Sequence, residues 1–475
     1  MSQKKTSVAI NGLFAAGYRV LNILFPLVTS VYVARVLLPS GTGRVAYAQN
    51  VVTYFTLLAS LGLPTYGTRE IARNLGSEEK YNKTFFELFS INTISTTICV
   101  IAYYVLCFTL PGFREDLLLY LVAGSAIVLN YFNIDWLYQG REEYKFIAIR
   151  GLLIKALSVV LLFFVVKKPS DYVTYAGIYC LVLGGNNFVN CLGLRRRIHF
   201  TKSRLEIKRH LKPIIILFAT TIAIELYTML DTTMLGIMCS DQVVGYYSYA
   251  MKTTKIIITV LTAATTVLLP RLSSFYHESR EKYNDLANKG IEFLFSVSIP
   301  IALYIYFNAY DIVVFLYSDH YAKAVESLKI LALLIPLISF STYLGIQILC
   351  SANREKDMLI AVSIGAITNV IMNAVLIPRF YQNGAAIASV GSEFLVMLCD
   401  SHFAKKIIRL HIPTKTVIMT AVTSMAVLFS AFIVHGYVSS MFLRLVIVGA
   451  AMVLTYIVLS AQSIIAMKMN GNKDR

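Results

Sequence analysis

Charge is what this sequence has least of. Only 15% of its 475 residues are Asp, Glu, Lys or Arg, against about 25% in an ordinary soluble domain, and 57% are hydrophobic. One water-soluble core cannot hold that excess. Its seven cysteines, Cys99, Cys107, Cys180, Cys191, Cys239, Cys350 and Cys399, form no CxxC pair and lie in or beside apolar blocks. They read as small packing residues rather than metal ligands or disulfide partners. A phosphate loop, a nucleophile triad and a metal-ligand cluster are all missing, so no cofactor and no metal are expected. The longest outer segment, 309–323, carries His320 and no arginine. That leaves little room for an enzyme working on the outer surface. No cleavable leader is expected: the block after the basic Met1–Thr6 runs on to Val36 without a small-residue cleavage site.

What is present is a succession of apolar blocks long enough to cross a bilayer, which takes roughly 20 residues each. The pattern predicts an all-α polytopic membrane protein with fourteen spans. They lie at about 8–36, 45–67, 84–108, 117–138, 146–166, 172–194, 212–237, 243–269, 289–308, 324–350, 357–377, 384–404, 414–434 and 441–465. An even number puts both termini on one side. With the N-terminus inside, 29 of the 43 Lys and Arg fall in inside segments and 7 in outside turns. That bias predicts a multi-pass protein of the cell (plasma or inner) membrane with both termini in the cytoplasm. It also accounts for the net charge of +17 as a topology signal, reinforced by anionic lipid heads, and no nucleic-acid partner is needed. The densest run, Arg195 to Lys212, divides the chain near its middle and reads either as a solvated linker or as a headgroup-binding hinge.

The halves repeat. Gly43-Arg-Val-Ala-Tyr47-Ala48 matches Gly245-Tyr-Tyr-Ser-Tyr249-Ala250, and an arginine follows each glycine by 26 residues, at Arg69 and Arg271. Glu87 pairs with Glu292, Arg141-Glu142 with Arg354-Glu355, and Gly177 and Gly184 with Gly384 and Gly391. Each repeat holds six spans, so both start inside and run the same way. This predicts two parallel-repeat six-helix bundles, residues 1–205 and 206–408, with two further helices and a cytoplasmic tail in 409–475. A cavity between the bundles, opened alternately to each side, is the expected substrate path.

Ionisable groups inside spans are costly and need partners or a wet cavity. Residues equally far from a hairpin turn lie at similar depth. On that basis Asp135 faces Arg150 as a structural pair, Glu225 faces Lys255, and Asp231 faces Lys252. Lys252 and Lys255 share a helix face. Asn22 on span 1 and Gln49, Asn50 and Thr53 on span 2 form a polar stripe suited to lining a cavity. Arg19 and Lys155 have no acidic residue opposite them in their own hairpins. With Lys252 and Lys255 they are candidates for an anionic headgroup. Glu225, Asp231 and Glu393 are candidates for a coupling ion, H⁺ or Na⁺. Asp400 reads as interfacial, and Pro26, Pro64, Pro270, Pro300 and Pro336 as kinks or helix ends.

Three segments then point to a family. They are Leu38-Pro39-Ser40-Gly41-Thr42-Gly43 through Gly62-Leu63-Pro64-Thr65-Tyr66-Gly67-Thr68-Arg69-Glu70; Asp135-Trp136-Leu137-Tyr138-Gln139-Gly140 with Arg150; and Tyr227-Thr228-Met229-Leu230-Asp231 followed by Leu235-Gly236, Gly245-Tyr246-Tyr247 and Lys252. Together they resemble the Wzx-type oligosaccharide flippases of the MOP superfamily, over most of spans 1–12. The resemblance implies a polyprenyl-pyrophosphate-linked oligosaccharide carried from the cytoplasmic to the outer leaflet by ion-coupled alternating access, for surface polysaccharide synthesis. Other polysaccharide-assembly proteins and the membrane lipids would be partners. Two other readings stand beside it. One is a multidrug or cation antiporter of the same fold, which calls for an acidic site where this sequence offers four bases. The other is a membrane polysaccharide polymerase or ligase, which calls for the large outer loop this sequence lacks.

Overall fold

A computed structural model describes residues 8–194, 197–199 and 205–471, with side chains outside the description at 8–24, 26–27, 220–221, 223–224, 226–227 and 463–471. The described residues are mostly helical, with no strand among them. Nine of their helices are long and apolar enough to cross a membrane. Many large apolar side chains face outward, among them Phe164, Leu192 and Phe432. An apolar surface that extensive suits lipid rather than water.

The first unit, Met1–Gly236, begins with α1 (Val8–Ser60), which holds spans 1 and 2. One non-helical residue, Leu38 (φ 60, ψ 173), breaks it, and Pro39 opens the second half. The expected turn of several residues is therefore a single sharp joint, held at a φ that a leucine adopts at a cost of about 1–3 kcal/mol. Next comes α2 (Leu63–Asn74), with Pro64 in its first turn and Leu63, Tyr66, Gly67 and Ile71 as its buried face. Predicted span 2 ran to residue 67 and missed this separate amphipathic helix. The unit continues with α3 (Glu78–Thr109), α4 (Pro111–Arg114), α5 (Leu117–Leu129), α6 (Asp135–Gly140), α7 (Tyr144–Val165), α8 (Tyr172–Leu192) and α9 (Lys208–Met238).

The second unit, Ile237–Arg475, comprises α10 (Asp241–Thr266), α11 (Leu269–Glu278), α12 (Arg280–Phe307), α13 (Ala309–Tyr317), α14 (Ala324–Ala332), α15 (Leu334–Thr342), α16 (Glu355–Ala404), α17 (Thr414–Tyr437) and α18 (Met441–Gly471). Spans 11 and 12 share α16, broken only at Tyr381 (φ 51, ψ −127). Span 10 is α14 and α15 continued by a wider-wound turn over Tyr343–Leu349.

By compactness the chain parts at 236/237, a different division from the repeat boundary read at 205/206. The reason is close packing of span 7 on the first unit. Ile214 is buried in the cluster of Leu63, Tyr66, Phe85 and Trp136. A Cβ on Gly236 would come within 2.0 Å of the Tyr47 ring, and one on Gly62 within 2.4 Å of the Ile214 carbonyl oxygen. Spans 13 and 14 belong to the second unit: Val427, Ala431, Val434 and Val448 form a core against Leu303 and Tyr304 of α12.

The repeat is visible in backbone detail within each unit. Ser77 and Ser279, 202 positions apart, precede α3 and α12 in the same extended conformation. Tyr81 and Tyr283, again 202 apart, are both buried one turn in. Leu63-Pro64 and Leu269-Pro270 open α2 and α11 at an offset of 206, so Arg271 falls opposite Thr65 rather than Arg69.

Candidate functional site

In the first unit, Arg150 meets Asp135 at 3.1 Å, and Asn190 Nδ2 donates to the same carboxylate oxygen at 2.5 Å. Arg150 is buried, and its Nε and Nη1 have no hydrogen-bond partner among the described residues. Asn50 Nδ2 donates to the Met229 carbonyl at 3.3 Å and to Thr233 Oγ1 at 2.6 Å, and Tyr54 Oη shares that hydroxyl at 2.7 Å. The polar stripe on span 2 thus fastens α1 to α9. Thr53 is exposed and returns its hydroxyl to the Gln49 carbonyl, while Gln49 Nε2 is buried without an acceptor among the described residues. Lys155 lies 5.7 Å from the Phe25 ring centroid. Asp231 is buried and Glu225 exposed on α9. The side chains of Arg19 and Asn22 lie outside the described residues.

In the second unit, Lys252 is half-buried with its ammonium 5.4 Å from the Tyr249 ring centroid, and Lys255 is exposed on the same helix. Glu393 is buried on α16 and accepts a short hydrogen bond from Ser341 of α15. Asp400, two turns further along the same face, is 1% exposed, and its Oδ1 has no hydrogen-bond partner among the described residues. Asp400 lies four residues before the end of α16 at Ala404, where span 12 was also read to end, and it is packed inside the unit. Spans 13 and 14 are clamped by Asp311, which is buried and meets Arg444 at 2.6 Å and His435 at 3.3 Å. Among the described residues no three His, Cys, Asp or Glu side chains are placed to hold a metal ion.

Two charged clusters of the first unit escaped the sequence reading. Glu87, fully buried on α3, accepts from Arg209 Nη2 at 2.6 Å, from the Glu206 backbone N–H at 2.7 Å and shares a hydrogen bond with His210 Nε2 at 2.8 Å. The His210 Nδ1 side is held by Tyr66 Oη at 2.8 Å. Glu143 lies between Arg141 and Arg197, both at 2.7 Å, and Arg197 also covers the Tyr138 ring at 4.9 Å. Burial pushes the Glu143 carboxyl up, but hydrogen bonds from the two guanidinium groups outweigh it and hold the group below the usual range. Arg197, Arg209 and His210 of the central basic run are therefore built into the unit. The sequence signal was a glutamate near the start of an apolar block, with a basic run more than a hundred residues later.

Comparison with known proteins agrees with this architecture. The sequence matches the family model described as polysaccharide biosynthesis protein over residues 8–276. A second family model, MatE, matches residues 216–375. A relative from Escherichia coli (strain K12) named "Putative O-antigen transporter" is 25% identical over 402 residues, covering 83% of this chain and 96% of its own length. Among solved structures, a lipid II flippase, MurJ, in an inward closed conformation superposes with a TM-score of 0.78 at 15% identity, covering 96% of this chain and 99% of the other. An inward-facing multidrug resistance MATE family transporter of the MOP superfamily gives 0.62 at 15% identity, covering 81% and 93%. These two likenesses speak to the fold alone. The family match spans more than half of the sequence, and the chain belongs to the polysaccharide biosynthesis protein family. The relative is named as a putative transporter rather than as an enzyme.

Proposed function

We propose that this protein carries polyprenyl-pyrophosphate-linked oligosaccharide repeat units from the cytoplasmic to the outer leaflet of the cell membrane, with both termini in the cytoplasm. The observation that carries the reading is the family match over residues 8–276, joined to a relative named as an O-antigen transporter that is covered over 96% of its length. Arg19, Lys155, Lys252 and Lys255 are proposed to meet the pyrophosphate. Cations in a medium of low dielectric attract such a group far more strongly than in water. Asn22, Gln49, Asn50 and Thr53 are proposed to line its path, and Glu225, Asp231 and Glu393 to take the coupling ion, H⁺ or Na⁺, during alternating access. The lobe boundaries read from the repeat, 1–205, 206–408 and 409–475, remain the proposed units of that motion, and other polysaccharide-assembly proteins its proposed partners.

The test is genetic. Cells lacking the protein should accumulate lipid-linked repeat units on the cytoplasmic leaflet, and Lys252→Ala or Lys155→Ala should not restore export although the variant inserts. Full export by both variants would remove these lysines from the mechanism. The MatE match over 216–375 supports a second reading, drug or cation antiport. Expression that raises drug resistance in a sensitive host, without restoring polysaccharide, would favour it.

A further inference from the structure

The first unit contains a cleft of about 530 Å³ whose described lining does not include Lys155, the candidate headgroup cation described in that unit. Its walls are α2, the start of α3 and the start of α9, and five Lys or Arg side chains line it against two carboxylates, Glu70 and Glu79. Three of the five are already committed. Arg73 lies 3.1 Å from Glu70, Lys83 lies 2.6 Å from Glu206, and Arg209 lies 2.6 Å from Glu87. Arg69 and Lys80 are exposed and make no ion pair among the described residues. Arg69 is positioned nonetheless: its guanidinium sits 5.6 Å from the Tyr66 ring centroid, and Tyr66 is itself buried and fixed through His210 to Glu87. The cleft is thus a pre-formed concave site with two uncommitted cations, and its volume falls within the roughly 300–1,000 Å³ typical of ligand sites.

The surroundings say where its ligand comes from. Along α9 the wall passes from Arg209 and His210 through Pro213 directly to the exposed Ile215 and Ile216. Charged side chains followed within one turn by outward apolar ones mark a bilayer boundary. An anion that reaches the cleft at that boundary is most readily one carried on a lipid. We propose that the cleft is a docking site for the phosphate or pyrophosphate headgroup of a membrane lipid, with Arg69 and Lys80 as the binding cations. Docking requires no transfer between leaflets, so the proposal stands or falls apart from the flippase reading.

The test uses the full-length protein in detergent micelles doped with a polyprenyl pyrophosphate, with phosphatidylglycerol, or with inorganic pyrophosphate alone. The double variant Arg69→Ala/Lys80→Ala should bind the lipid probe roughly tenfold more weakly, as expected for loss of charge-assisted hydrogen bonds. Arg69→Lys/Lys80→Arg should recover most of the affinity. Lys289→Ala, which removes an equally exposed cation paired with Asp285, should bind as the unaltered protein does. An unchanged unfolding temperature shows that the double variant is folded. Loss confined to polyprenyl pyrophosphate assigns the cleft to a substrate-type lipid, and loss with both lipids assigns it to bulk anionic lipid; either supports docking. Unchanged affinity of the double variant for both lipids, no binding by the unaltered protein, or equal competition by inorganic pyrophosphate would overturn it.

Discussion

The inner ends of α3 and α12 are built on one plan and loaded with different chemistry. Each helix follows a serine in the same extended conformation, and each buries a tyrosine one turn in, at a common offset of 202. In the first unit Glu87, six residues after that tyrosine, is fully buried and surrounded by Arg209, His210 and the Glu206 N–H. At the same offset the second unit has Lys289, exposed and paired with Asp285 at 2.7 Å. Glu292, the sequence match of Glu87, is only half-buried and accepts from Thr416 at 3.4 Å. Besides the Glu87 cluster the first unit buries Arg150 and Asp231, whereas the second buries Glu393 and Asp400 on α16 and Asp311 on α13. Duplication kept the scaffold and left the polar load free to diverge.

That asymmetry can be broken or sharpened by substitution. Glu87→Gln leaves a buried histidine and an arginine without their carboxylate and should cost about 3 kcal/mol, while Glu292→Gln should cost under about 1 kcal/mol. Unfolding temperatures of the two purified variants give the comparison directly, and equal losses would end it. Asp311→Asn should cost about 2 kcal/mol by stranding Arg444, which is 16% exposed, and should expose the 438–440 turn to protease before the rest of the protein.

A smaller effect separates the glycines of the repeat. A Cβ at Gly384 would lie 2.4 Å from the Leu376 carbonyl oxygen, but at Gly177 it would meet only the Val122 side chain at 3.4 Å. Gly384→Ala should therefore cost about 1–3 kcal/mol of stability, and Gly177→Ala within about 0.5 kcal/mol.

The smallest expected effect is that of pH on Glu143. Its folded carboxyl is held below the ordinary value, so its contribution is present above the ordinary carboxylate range and is lost as pH falls through the folded value. The 139–145 turn should loosen in acid, read by hydrogen exchange at those amides. Glu143→Gln should abolish that pH dependence.

Much of this was legible because bilayer thickness and charge bias act along the chain. The spans, the repeat and the depth match of Asp135 with Arg150 need only counting. What escaped depended on contacts far apart in sequence. The Glu87 cluster forms only when α9 returns more than a hundred residues later, and the same return commits Asn50 to Thr233. The turns at 37–44 and 378–383 were read from the sequence, but not that each narrows to one non-helical residue, Leu38 and Tyr381, because neither is a glycine.

The measurement that bears most directly on the central claim is leaflet transfer in proteoliposomes. The purified protein is reconstituted with a fluorescent polyprenyl-pyrophosphate-linked glycan, and the label accessible to an outside quencher is followed after a pH or sodium gradient is imposed. The account predicts transfer that depends on the protein, speeds up with the gradient and fails in Lys252→Ala. Transfer no faster than in protein-free vesicles, across a range of glycans, would contradict it.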